Sequence, residues 1–164
     1  MFKVGDAIIH PVRGAGIVVD LMKRQWRGND RMYYKVKLLS QPDTKLMIPT
    51  SAVEKLGLRR AVSRSQLTRV WRVLCTNPQK LPAEHKKRHA LVDDKLHTGD
   101  IIQVAEVLRD MAGRRQQEGK LTVTGKRRYE EGISILAGEI AAVQDIDVSE
   151  AENQVREKLT KISE

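Results

Sequence analysis

The stretch MFKVGDAIIHPVRGAGIVVD, residues 1–20, decides the fold class of this chain. AIIH (7–10) and AGIVVDLM (15–22) read as two aliphatic strands joined by a turn at Pro11, Gly14 and Gly16. Proline fixes one φ there and glycine reaches positive φ at no steric cost, which suits a small, twisted β-module. MYYKVKLL (32–39) and KLMIP (45–49) continue the pattern. In the former, Tyr34, Val36 and Leu38 alternate with Lys35 and Lys37, so one face meets water. RGND (27–30) and SQPD (40–43) carry turn chemistry. Four or five short strands in sixty residues are too few for a sandwich and fit a small SH3-like or Tudor-like barrel.

After GLRR (57–60) the apolar period becomes helical. Ser63 and Gln66 have capping-box spacing ahead of Leu67, Val70, Trp71 and Leu74. Trp71 lies on that stripe and is expected in the core. Asn77 and Pro78 end this helix, and Pro82 opens a second one over AEHKKRHALVDDKL. Asp100 is a natural N-cap for a third, with Ile101, Val104, Ala105, Leu108 and Met111 on one face. A fourth begins near Thr124 and buries Ile133, Leu136, Ala137 and Ile140. Ser149 and Glu152 repeat the capping-box spacing ahead of Val155, Leu159 and Ile162. The expectation is an α+β chain: a β-barrel over residues 1–60 and an all-α domain of about five helices over 61–164.

With 164 residues and 40% apolar content the chain can hold two small cores, filled by aliphatic groups because aromatics make up only 4%. No run approaches the roughly 20 apolar residues of a membrane span, and the N-terminus lacks a signal-peptide apolar region. A cytoplasmic protein without membrane contact is expected. Its single cysteine, Cys75, allows no internal disulfide and reads as a small buried hydrophobe in a helix. Charge is unevenly spread. Residues 1–60 carry 12 basic and 5 acidic groups, 61–128 carry 15 and 7, and 129–164 carry 3 and 9. A basic body with an acidic end suits contact with a polyanion over part of the surface.

Two basic surfaces stand out. In MKRQWRGND (22–30), Lys23, Arg24 and Arg27 flank Trp26 beside a glycine turn, and tryptophan and arginine are enriched at interface hot spots. In the rear half, Lys86, Lys87 and Arg88 lie near the start of the second helix and Lys126, Arg127 and Arg128 near the start of the fourth. If those starts are neighbours, six cations and free backbone N–H groups would face a phosphate chain together. His85 and His89 stand one turn apart, but HExxH and a nearby cysteine are missing and the adjacent cations would repel a metal. Gly14-Ala15-Gly16 lies in a hairpin, not between a strand and a helix, and neither a Walker motif nor a Gly-x-Ser-x-Gly elbow occurs. Neither enzyme activity, metal nor cofactor is expected.

Taken in order, FKVGDAIIHPVRGAG, MIP (47–49), VEKLGLRR (53–60), LTRVWRVL (67–74), LPAEHKKRH (81–89), LHTGDIIQVAEVLRDM (96–111) and ISILAGEI (133–140) resemble the CarD/CdnL family of bacterial transcription regulators. The resemblance spans nearly the whole chain. It implies a Tudor-like domain, shared with transcription-repair coupling factor, that binds the RNA polymerase β subunit. It also implies a helical domain that contacts promoter DNA, with low sequence specificity, at the upstream edge of the bubble and stabilises the open complex. The chain is then a monomeric, non-catalytic regulator reaching the nucleoid through the polymerase. Lys23, Arg24, Trp26 and Arg27 fall on the polymerase-binding edge, while Met47 replaces a polar or basic contact of relatives. His85 stands where family members that stabilise open complexes carry a wedge tryptophan, so a weaker wedge is expected. The alternative is an adaptor that binds polymerase without productive DNA contact.

Overall fold

The computed structural model describes residues 1–162, and the side chain of Trp26 lies outside that description. The fold is α+β: a five-stranded antiparallel sheet followed by a helical region of about five helices. The chain divides into two compact units, Met1–Ser63 with Gly138–Val148, and Arg64–Ala137 with Ser149–Glu164.

In the first unit, β1 (Ala7–His10), β2 (Gly14–Trp26), β3 (Asn29–Leu38), β4 (Lys45–Pro49) and the two-residue β5 (Arg59–Arg60) form a sheet of order β4-β3-β2-β1-β5. One face buries Phe2, Ile8, Val18, Tyr34, Val36, Ile48 and Leu58. The Phe2 N–H donates to the Tyr34 hydroxyl at 3.1 Å, which satisfies a buried phenol. Gly14 takes φ 83° in the first hairpin, but Gly16 serves a different need. A Cβ there would sit 2.6 Å from Val36 Cγ1, so Gly16 lets β2 and β3 approach across the core. A register shift between Val18 and Asp20 breaks the β2–β3 ladder. A one-turn helix, α1 (Val53–Leu56), ends at Gly57 with φ 76°, and β5 then pairs with β1.

The helical region contains α2 (Arg64–Leu74), α3 (His85–Leu96), α4 (Ile101–Glu118), α5 (Val123–Gln144) and α6 (Val148–Lys161). Asp100 caps α4 as expected, its carboxylate accepting from the Ile102 N–H at 2.9 Å. Helix α5 begins at Val123, near Thr124 as expected, and the Thr122 hydroxyl before it accepts from the Gly125 N–H at 3.0 Å. Ser149 lies inside α6 rather than capping it, and Glu152 pairs with Arg156 instead. Helix α3 starts at His85 rather than directly after Pro82.

Helix α2 buries Leu67, Val70 and Leu74 and leaves Trp71 half-buried at the margin. It stops at Leu74, so Cys75 falls past the buried stripe and is exposed, against the expectation of a core thiol. The loop after α2 is fastened to α4. Asp110 accepts the Gln79 N–H at 2.7 Å and Arg109 Nε–H at 2.9 Å, while Arg109 also donates to Thr76 Oγ1 at 2.7 Å. Pro78 rests on Gly113, where a Cβ would meet the ring at 2.4 Å.

The last turns of α5, from Gly138, belong to the first unit. Ala15 Cβ lies 3.6 Å from the position a Cβ on Gly138 would take. Next to it Glu139, 1% exposed, accepts both Arg59 guanidinium N–H groups at 2.8 Å and the Val62 N–H at 2.8 Å. A charge so deeply buried is stable only with this full set of donors.

Candidate functional site

Strands β2 and β3 run past the core as a long hairpin whose loop is Arg27-Gly28, between paired Trp26 and Asn29. Arg27 at φ 49° and Gly28 at φ 80° are both left-handed, the geometry of a type I′ turn whose twist matches that of the strands. Side chains alternate between faces along a strand, so Lys23 and Arg24 point to opposite sides. Lys23, opposite Met32, lies on the face that carries Tyr34 further along, and it pairs with Asp30 at 3.0 Å. Both partners of that pair are exposed, and such pairs contribute little.

Arg24 lies on the other face, directly opposite Arg31. The same face continues through Met22 and Tyr33, Lys35 and Met47, then Lys37 and Lys45. Like charges set opposite each other across strands repel, and this face holds two such pairs, Arg24–Arg31 and Lys37–Lys45. Half-buried Met22, Tyr33 and Met47 run between them. The result is an apolar strip within a largely cationic frame, in which exposed Asp20 stands opposite Lys35. Only Arg24 of this set stood out in the sequence as a contact residue, although the lysine alternation of β3 already pointed outward. Arg31 and Lys45 become part of the surface only through the register.

In the helical unit the starts of α3 and α5 are neighbours, lining one cleft through Arg88, His89, Thr122, Gly125 and Arg128. The six cations near these starts do not behave alike. Lys86, Lys87, Lys126 and Arg127 are exposed, and Lys87 has only a loose 3.7 Å pairing with Glu84. Arg88 is 8% exposed and donates to the carbonyls of Pro82 and Ala83 at 3.2 and 2.9 Å, fastening the loop ahead of its own helix. Arg128 grips Asp93 with two N–H donors, one at 2.9 Å, tying α5 to α3. This bond holds the Asp93 carboxyl below its ordinary range.

His85, at the first position of α3, is exposed, and its ring centroid lies 6.2 Å from that of His89. His89 is held below the usual histidine pKa, first by burial and then by the charges of Arg128 and Arg88. Among the described residues, its buried Nε2 has no hydrogen-bond partner. His97, one turn beyond Asp93, bonds Glu131 at 2.7 Å, which raises its pKa despite some desolvation.

Two family models cover the chain. The CarD-like/TRCF RID domain matches residues 2–62, and the CarD C-terminal domain matches residues 69–156. The chain belongs to the CarD family. A relative from Bacillus subtilis (strain 168), bearing the name "Putative transcription factor YdeB", is 27% identical over 146 residues, which cover 89% of this chain and 94% of that protein. The CarD-family chain is thus a transcription regulator of a non-enzymatic family, built from an RID-type sheet and a CarD helical domain. Among the described residues, no helix is long and apolar enough to cross a membrane.

Proposed function

We propose that this CarD-family regulator binds the β subunit of RNA polymerase through its sheet and promoter DNA through its helical unit, stabilising the open complex. The outward face of β2, β3 and β4 supports the first contact. Its like-charged Arg24–Arg31 pair gains most from an acidic partner, and the Met22–Tyr33–Met47 strip offers apolar area to bury beside it. Lys23 and Arg27 lie on the same hairpin, and Trp26, between them, is proposed from sequence alone. Recruitment fails, on this reading, when Arg24→Glu puts a carboxylate opposite Arg31. A polymerase pull-down with full-length wild type and variant tests it, and undiminished capture of the variant refutes it.

The observation that carries the DNA reading is the convergence of the α3 and α5 starts. Exposed Lys86 and Lys87 belong to the first turn of one of these helices and exposed Lys126 and Arg127 to the first two turns of the other, which supports reading the four as one DNA-facing set. Arg88 and Arg128 act as braces that hold these starts, with their guanidinium groups turned to internal partners. Four outward cations correspond to a log–log salt slope of about −3.6 if each neutralises one phosphate. His85, on the same exposed turn, offers less apolar area than an indole to an unstacked base step, so it is a weakened wedge. His85→Trp should lengthen promoter-complex lifetime, and an unchanged lifetime would argue that no wedge acts at this position.

The internal commitments of Arg88 and Arg128 also favour a second reading, an adaptor that touches polymerase without productive DNA contact. A salt-sensitive shift of promoter DNA by the full chain, lost on neutralising Lys86 and Lys87, separates the two.

A further inference from the structure

The cleft between α3, the end of α4 and the start of α5 has a composition that DNA contact does not require. Its volume is about 230 Å³, and its apolar lining is Leu81, Val92, Met111 and Leu121. Arg88, Arg114, Lys120 and Arg128 also line it, against the single carboxylate of Glu118. Counting Asp93 as the partner of Arg128, four positive groups face two negative ones. Arg88 and Arg114 are close enough that the charge of Arg114, after burial, lowers the pKa of Arg88. Glu118 offsets part of that repulsion, and the lining still keeps a surplus of positive charge around its apolar walls.

Three further features converge on this space. Gly125 and Thr122 bring the N-terminus of the 22-residue α5 to the cleft, where the helix dipole favours negative charge. The Thr122 hydroxyl accepts from Gly125 N–H and keeps its own proton to donate. His89, a lining residue, holds a buried Nε2 with no partner among the described residues, and a buried polar atom without a hydrogen bond calls for one.

We infer that this cleft binds a small, free phosphomonoester carrying a ring-sized apolar or planar body. The phosphate sits between Arg114, Lys120 and the first turn of α5, with Arg88 adding only its positive charge from behind, and the body lies on Leu81, Val92 and Met111, within reach of His89. A dianion matches the surplus of positive charge. The volume lies below the roughly 300–1,000 Å³ of drug-sized sites, which limits the occupant to about one ring. Such a molecule adds negative charge beside Lys86, Lys87, Lys126 and Arg127, giving the regulator an input apart from polymerase and DNA.

The test is calorimetric titration of the full chain with phenyl phosphate and with inorganic phosphate. Phenyl phosphate should bind at least tenfold more tightly, because only it covers the apolar wall. Arg114→Gln and the surface variant Lys120→Gln should each weaken it about tenfold, while Arg72→Gln on α2 leaves it unchanged. An oligothymidylate without terminal phosphate should not displace it. Equal affinity for the two phosphates, no binding at millimolar concentration, insensitivity to both cleft variants, or displacement by the oligonucleotide would each overturn the inference. The last result would make the cleft part of the strand-contact surface.

Discussion

Replacing Glu139 with glutamine tests the tightest charged cluster in the first unit. The carboxylate is 1% exposed and accepts three hydrogen bonds of 2.8 Å, two from Arg59 and one from the Val62 N–H. Removing one member of a buried ion pair costs about 3–5 kcal/mol, because the remaining charge stays buried without a partner. The Arg59 side chain is 33% exposed, so water recovers part of its solvation and the lower end applies. Glutamine keeps one acceptor but turns an NH2 group toward a guanidinium or an amide N–H. The expected loss is about 3 kcal/mol, or roughly 6–12 °C in the melting temperature for a chain of this size. Urea and thermal unfolding measure the loss, and hydrogen exchange of the Val62 amide localises it. Adding Arg59→Met should cost less than the sum of the single changes, since the orphaned charge is then gone. A Glu139→Gln variant within about 0.5 kcal/mol of wild type, with Val62 still protected, would refute this account of the clasp.

Gly113→Ala should destabilise the helical unit by about 1 kcal/mol net. Alanine gains roughly 0.5–1 kcal/mol of helix propensity but is driven into the Pro78 ring at 2.4 Å, and overpacking costs about 1–3 kcal/mol. A more stable variant in urea would show that the loop yields freely. Ring titrations followed by NMR should separate the histidines. His97 should titrate above 6.5 because Glu131 bonds it, and His89 and His10 should titrate below, chiefly because burial disfavours their charged forms. The signs for stability are opposite. The His97 contribution is fully present below 6.5 and is lost as pH rises through its raised folded value. Those of His89 and His10 are present above 6.5 and are lost as pH falls through their lowered values. A His97 midpoint at or below that of His89 would contradict the Glu131 bond.

Much of the fold was legible because its signals are local. Alternation in YYKVKLL, the positive φ available to Gly14 and the Asp100 cap each act within a few residues, and the structure follows them. Cys75 misled because the helix stopped just before it, and Gly16 because a packing glycine and a turn glycine look alike in sequence. β5 escaped notice because two arginines carry no strand signal of their own and gain extended geometry only by pairing with β1. The candidate surfaces were half legible. KKR and KRR mark basic helix starts, but nothing in either run says that the third cation turns inward while the first two face water. Arg114 and Lys120 went unmarked, since isolated cations near a helix end resemble any solvated face.

The sequence by itself determined the two kinds of architecture, their order along the chain and where charge is concentrated, because hydrophobic period, turn residues and composition are properties of neighbours. Tertiary structure alone decided that the end of α5 joins the first unit, that Arg24 faces Arg31, and that Arg88 and Arg128 brace the helix starts whose cleft also gathers His89, Arg114 and Lys120. Those outcomes depend on register and on which buried charge finds which donor, and both are settled between residues dozens of positions apart. Glu139 shows the difference. In ISILAGEI it is one acid in an apolar helix, and only the approach of Arg59 and Val62, some eighty residues earlier, makes its burial stable.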